Sequence, residues 1–438
     1  MRALLLLIPF LLIGQTMTVY KDNIALVKEP VYWSVTGGRF EITYDHLPNG
    51  ILPESPFLSL HDATIMYQRY NNDVFNGNQY FNEKLGQYVY VKVHNDKVHE
   101  GTLIEAGNNS ISLQTKRDII TISRAKVDYM YSRDQQEDTQ LRPELAWDIN
   151  SPTTGTISGD LVYLSGGFDW NAVYRFILNG NNGKLIPEAI VTNSSNVDYA
   201  QFSLKLVEGN LKKKGGRPPA IYGAESRMSS AMAVPPVTSG QILGDFHIYS
   251  LPERIDLDRN QSVTVRLYEP RNVDYKKTYI FENTERSKKE EPLKIEIELE
   301  NTAENNLDIP LPQGKVSLYL KADDGSLEYA GQDVLKQIPR GETATISAGR
   351  AFDVIGKRTV LHFDRQRKSE EASIEITVKN KRNEKVSVRL EEQIHGDWVI
   401  RDASENYIKK DASTIHFPIT LDTGGTKTIT YTYRKEWK

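Results

Sequence analysis

Cysteine is absent from this chain, which excludes disulfides, thiolate nucleophiles, thiolate metal ligands and the lipid-modified cysteine of a bacterial lipoprotein. Helical periodicity is nearly as scarce, its best candidate being a short segment around Gln79 to Leu85. Beyond the first residues no apolar run approaches the ~18 residues of a membrane-spanning helix, so no transmembrane segment is expected and the mature chain should be soluble. Neither sign of charge is in excess: 54 Lys and Arg against 58 Asp and Glu leave a net charge of −4. That balance produces no field to gather nucleic acid or an anionic membrane.

Catalytic signatures are missing too. The eight histidines, at His46, His61, His94, His99, His247, His362, His395 and His416, form no HExxH or HxH pattern. His94 and His99, five apart across an expected turn, are the one pair that adjacent strands could bring together. There is no GxSxG elbow, no GxxxxGK[ST] loop and no GxGxxG after a strand. No catalytic residue, cofactor or metal site is therefore expected. A carboxylate pair for glycoside hydrolysis would come from distant strands and leave no local motif.

What is present begins with "MRALLLLIPFLLIGQT", a basic residue followed by a short apolar run. This is the outline of a secretory signal at residues 1–16, cleaved near Gly14 to Met17, with a buried first strand as the alternative. The rest reads as strand. "SVTVRLYE", "LKIEIELE", "KVSLYLK", "ASIEITVKN" and "TKTITYTYR" all alternate with a period of two. In "LKIEIELE" Ile295, Ile297 and Leu299 face one way and Lys294, Glu296, Glu298 and Glu300 the other, as in an antiparallel sheet buried on one face. The expected fold is all-β: several antiparallel sandwiches, a small SH3-like or Sm-like barrel and a C-terminal immunoglobulin-like domain.

Composition divides the chain further. Residues 17–85 form an N-terminal β segment expected to pair with a central β domain at 133–210 and 241–363. Residues 86–132, with tight turns at Asn95-Asp96 and Asn108-Asn109, form the small barrel, in which no aromatic and basic stripe is evident. The segment 211–240 holds two Pro-Pro pairs and five bases against one acid, and reads as a flexible basic linker. Residues 364–438 form the immunoglobulin-like unit, with Trp398 as a core or edge anchor.

"YLSGGFDWNAVYRF" supplies the ligand-binding candidates: Asp169, Trp170, Tyr174 and Arg175 beside Gly166-Gly167. The glycines would let a backbone approach a ligand, and Trp170 could stack on a sugar. Equally, Phe168, Trp170, Ala172 and Tyr174 occupy alternate positions of one strand, which makes them core or interface residues. Asp323-Asp324-Gly325 fails the calcium-loop test because Lys321 stands where an acid is needed, and reads as a hairpin turn. Pro310 and Pro312 remove two backbone donors and point to a sheet edge or a connection between strands.

Several blocks occur in a familiar order: "TVYKDNIALVKE", "VYLSGGFDWNAVYRFIL", "HIYSLPERIDLDRNQSVTVRLYE", "NTAENNLDIPLPQGKVSLYLKADDGSLEYAGQD", "GRAFDVIGKR" and "QIHGDWVIRDASENYIKKDASTIHFPITL". Together they resemble the bacterial domain-of-unknown-function family of envelope proteins related to mucoidy-inhibitor-like proteins. The small barrel stands where those relatives carry a long coiled-coil stretch. The resemblance implies β-rich architecture and an envelope setting, periplasmic or at the cell surface, and supplies no catalytic residues. The expected function is binding or assembly through sheet edges and exposed aromatics, with an envelope protein or polysaccharide as partner. A glycan-binding or carbohydrate-active protein and a homo-oligomeric surface or fibre component are the rivals.

Overall fold

The computed structural model describes residues 14–75, 77–133, 140–209, 241–243, 246–322 and 324–437. The expected linker 211–240, Asp323 and most of the expected signal lie outside them. The fold is all-β, and among the described residues it is built from sheets of seven, five, three, six and nine strands.

The largest core lies between the seven-, three- and six-stranded sheets. Its centre is the pair of strands Gly155–Gly166 and Phe168–Asn179, which belong to different sheets although one residue separates them. Gly167, at φ +92°, makes that change of sheet possible, because a side chain is strained in the left-handed region. The alternation of Phe168–Asn179 then sends Phe168, Trp170, Ala172, Tyr174, Phe176 and Leu178 inward.

The five-stranded sheet, residues 88–132, interrupts the three-stranded one between Thr64–Asn71 and Glu144–Ser151, two strands that pair with each other. It has its own core of Val89, Val91, Leu103, Ile111, Leu113 and neighbours, sealed by Phe81 of the short helix Gly77–Glu83. The chain runs through four consecutive strands and a single 3-10 turn, Arg124–Lys126, after which Val127–Ser132 returns beside the first strand, Tyr88–Val93.

A second large core fills the nine-stranded C-terminal unit. It draws on residues well before 364: Tyr279, Phe281, Leu293, Ala351 and Val354 pack with Ile374, Ile376, Trp398, Phe417 and Tyr431. Position 364 falls at the end of Thr343–Arg365, whose hairpin partner is Ser369–Asn380. Two long strands join the large cores. Lys289–Glu300 places Leu293 in the C-terminal core and Ile297 and Leu299 in the first; Thr343–Arg365 does the same with Val354 and Ile346.

The Asp324-Gly325 turn links Gly314–Lys321 to Leu327–Leu335 as an antiparallel hairpin, with Gly325 at φ +86° and Asp324 Oδ1 accepting the Ser326 N–H at 2.9 Å. Pro310 and Pro312 do not form an exposed edge. They are buried in the connection leading into Gly314–Lys321, an interior strand that pairs parallel with Phe168–Asn179. Tyrosine hydroxyls serve their carbonyls: Tyr268 donates to Pro310 O at 3.3 Å and Tyr174 to Pro312 O at 2.6 Å.

Candidate functional site

The four residues singled out in Phe168–Asn179 separate onto two faces. Trp170 and Tyr174 are 0% and 1% exposed, so neither ring presents a face to a sugar. The Trp170 indole donates to Val207 O at 3.1 Å, Tyr249 packs against it, and the Lys21 ammonium lies 4.8 Å from its ring centroid. Lys21 is itself held by Glu208 at 2.5 Å and by Gln313 O. Burial, with the nearby Tyr249 hydroxyl and Glu208 carboxylate, pushes the Tyr174 hydroxyl well above the ordinary phenol range. Asp169 and Arg175 lie on the other side of the strand, where Arg175 pairs with Glu188 on the neighbouring strand. Gly166-Gly167 thus serves a change of sheet, with the Ser194-Ser195 backbone packed close to Gly167.

The surface that the fold assembles lies instead on the five-stranded unit. Strand Tyr88–Val93 turns Val89, Val91 and Val93 inward and Tyr88, Tyr90 and Lys92 outward. Val127–Ser132 runs antiparallel beside it, with Tyr131 opposite Tyr90 and Tyr129 opposite Lys92. Four tyrosines therefore share one outer face. The Tyr90 and Tyr131 rings stack with centroids 4.9 Å apart and planes 10° from parallel. Tyr88 meets Tyr90 edge to face at 5.7 Å, and Tyr129 lies 6.3 Å from Tyr131. The Arg133 guanidinium sits 4.6 Å from the Tyr90 centroid, within cation–π range.

Tyr88, Tyr129 and Tyr131 are 47%, 53% and 39% exposed. None of the four hydroxyls donates or accepts a hydrogen bond among the described residues. Partial burial, then the Glu100 carboxylate and Tyr90 nearby, raise the Tyr88 hydroxyl above its usual value. Rigid aromatic rings with free hydroxyls and a stacked arginine are the composition of a binding surface: large contact area at little entropic cost, with polar groups to fix orientation.

An aromatic and basic cluster of this kind is not evident from the order of residues. Tyr88 and Tyr90 stand some forty positions from Tyr129 and Tyr131, and only the pairing of first and last strand joins them. The sequence signal that could have found them is the paired spacing Tyr-x-Tyr in each of two alternating strands of one small unit. His94 and His99 do not converge: His94 faces Asp128 at 3.3 Å and His99 faces Asp96 at 3.1 Å. Among the described residues no group of three or more His, Asp or Glu is placed to hold a metal ion, and no helix is long and apolar enough to cross a membrane. Neither protein-family models nor curated proteins include a match to this chain.

Proposed function

We propose that this chain is an exported binding protein of the bacterial envelope that engages a partner protein through the tyrosine face of its five-stranded unit. The observation carrying this reading is the stacked Tyr90–Tyr131 pair with Tyr88, Tyr129 and Arg133 around it on an exposed sheet face. Tyrosine and arginine are the residues that interfaces concentrate, and the exposed phenol rings have apolar area to bury as well as hydroxyls to pair.

Export is supported by "MRALLLLIPFLLIGQT", and membership of the mucoidy-inhibitor-related family by the ordered blocks that run through the mature chain. The return of Val127–Ser132 beside Tyr88–Val93 supports reading residues 88–132 as an SH3-like or Sm-like barrel. The C-terminal strands around Trp398 support an immunoglobulin-like sandwich extended by strands from 276 onward.

Expression of the complete sequence in a bacterial host tests the setting: the protein should be processed near residue 16 and recovered from the envelope fraction, whereas unprocessed protein in the cytoplasm would overturn it. Alanine at Tyr88 and Tyr129 together should abolish association with isolated envelopes without altering the thermal unfolding midpoint. Undiminished association would remove the tyrosine face from the reading.

A further inference from the structure

A recess lies in the nine-stranded unit, far in sequence from the tyrosine face. Four segments meet there: the turn carrying Arg286, the hairpin after Arg365, the His395-Gly396 loop and Trp437. They line a shallow, open cleft of about 380 Å³, room for one sugar ring. Loops gathered at one end of a sandwich are where such folds carry their ligands, because the sheets hold them rigidly and their side chains face solvent.

The floor is a charged network satisfied within the protein. Lys435 bridges Glu285 and the buried Glu370, and Glu370 also accepts the Tyr433 hydroxyl at 3.1 Å. The rim differs. Arg286, 64% exposed along its side chain, reaches Glu370 at only 3.6 Å, too long for a hydrogen bond. Arg365 lies over the Trp437 ring, 5.6 Å from its centroid, and has no carboxylate partner among the described residues. The side chains of His395 and Asp397, on either side of Gly396 at φ +95°, likewise make no hydrogen bond or ion pair among the described residues. Trp437 is 37% exposed, its indole N–H committed to Arg367 O at 3.0 Å, which fixes the ring while leaving part of it open.

The cleft thus offers one arginine, Arg365, without a carboxylate partner among the described residues, a second, Arg286, paired only at longer range with Glu370, a partly exposed Trp437 ring, and the carboxylate of Asp397 beside His395. We infer that it binds an acidic sugar residue, a hexuronate of a polysaccharide. The sugar carboxylate suits the planar guanidinium fork of Arg365, with Arg286 beside it. The C–H face of the ring packs on Trp437, and ring hydroxyls donate to Asp397 and pair with His395. A phosphate or other small anion would use the arginines and leave Trp437 and Asp397 idle. A neutral sugar would leave the Arg365 charge unmatched.

The test is titration of the full-length mature chain with tetragalacturonate, a neutral glucose tetramer and inorganic phosphate, read by calorimetry and by the Trp437 indole resonance. Tetragalacturonate should bind and shift that resonance, with the glucose tetramer and phosphate at least about tenfold weaker. Arg365→Gln and Trp437→Ala should each weaken tetragalacturonate by about tenfold or more. If Trp437→Ala lowers thermal stability, Arg365→Gln on the exposed rim and the wild-type resonance carry the result. Absence of tetragalacturonate binding, equal binding of phosphate, or unchanged affinity in Arg365→Gln overturns the inference. Alanine at Tyr88 and Tyr129 should leave tetragalacturonate binding intact, so failure here and failure of the tyrosine face are separable.

Discussion

Arg358 and Glu392 form an ion pair, Nη2 to Oε2 at 2.9 Å, in which both side chains are 0% exposed. Tyr431 donates to the same carboxylate, and the guanidinium also donates to the carbonyls of Ser287 and Glu285 and to the Tyr431 hydroxyl. Burial raises the Glu392 carboxyl above the usual range, against the pull of Arg358 and the hydrogen bonds. The pair locks strand Thr343–Arg365, through Arg358, to strand Val386–Gln393 and to the turn after Lys276–Thr284. Arg358→Met leaves a buried carboxylate unpaired and should cost about 3–5 kcal/mol, whereas Arg358→Met with Glu392→Leu should recover most of it. Urea unfolding of both variants decides this. A double variant as unstable as the single one would show that the pair itself, not the orphaned charge, governs stability.

Trp170 makes the opposite argument from the one its neighbourhood invites. It fills the first core and is held by the Val207 carbonyl, so Trp170→Ala should lower stability by about 3–5 kcal/mol. Calorimetry at a temperature where the variant remains folded should show partner and sugar binding unchanged. Selective loss of binding at full stability would return Trp170 to a ligand role.

Gly314 pairs with Ala172 in the parallel ladder at the start of Gly314–Lys321. A Cβ there would lie 2.2 Å from the Ala172 carbonyl oxygen, a backbone atom that cannot rotate away. Gly314→Ala should cost at least about 2 kcal/mol, visible as a lowered unfolding midpoint. A midpoint equal to wild type would mean that the two strands separate more easily than this register implies.

Glu29 gives a pH dependence of defined sign. Its carboxyl is buried and accepts hydroxyl hydrogens from Tyr44 at 2.5 Å and Tyr163 at 2.8 Å, and burial raises its pKa despite those bonds and nearby His46. The folded state therefore holds the proton more tightly than the unfolded chain. Stability falls as pH rises from the unfolded carboxyl value through the raised folded one, because ionisation is then easier after unfolding. Glu29→Gln should flatten the thermal midpoint against pH across that window. An unchanged profile would assign the dependence to other groups.

The sequence exposes its fold through side-chain alternation and hides what depends on distant pairing. In Lys289–Glu300 the outward Glu296 and Glu298 and inward Ile297 and Leu299 sit as the period of two requires, with Arg389 bonded to both glutamates. The alternation of Phe168–Asn179 likewise specifies which side of Trp170 is buried. Arg389 itself comes from a strand that pairs parallel with Lys276–Thr284 across about a hundred residues, and no local pattern encodes such a partner. The burial of Pro310 and Pro312 follows from the same long-range packing. So does the tyrosine face, whose halves are ordinary strand residues until Val127–Ser132 returns beside Tyr88–Val93.

The central claim is that this face is occupied in the envelope. Its most direct test is a photocrosslinking amino acid placed at Tyr129, with the full chain expressed and irradiated in intact cells. The account predicts one discrete protease-sensitive adduct that disappears when Tyr90 and Tyr131 are both alanine, in a protein that still folds and is still exported. No adduct, or an adduct indifferent to the loss of those two stacked rings, would contradict it.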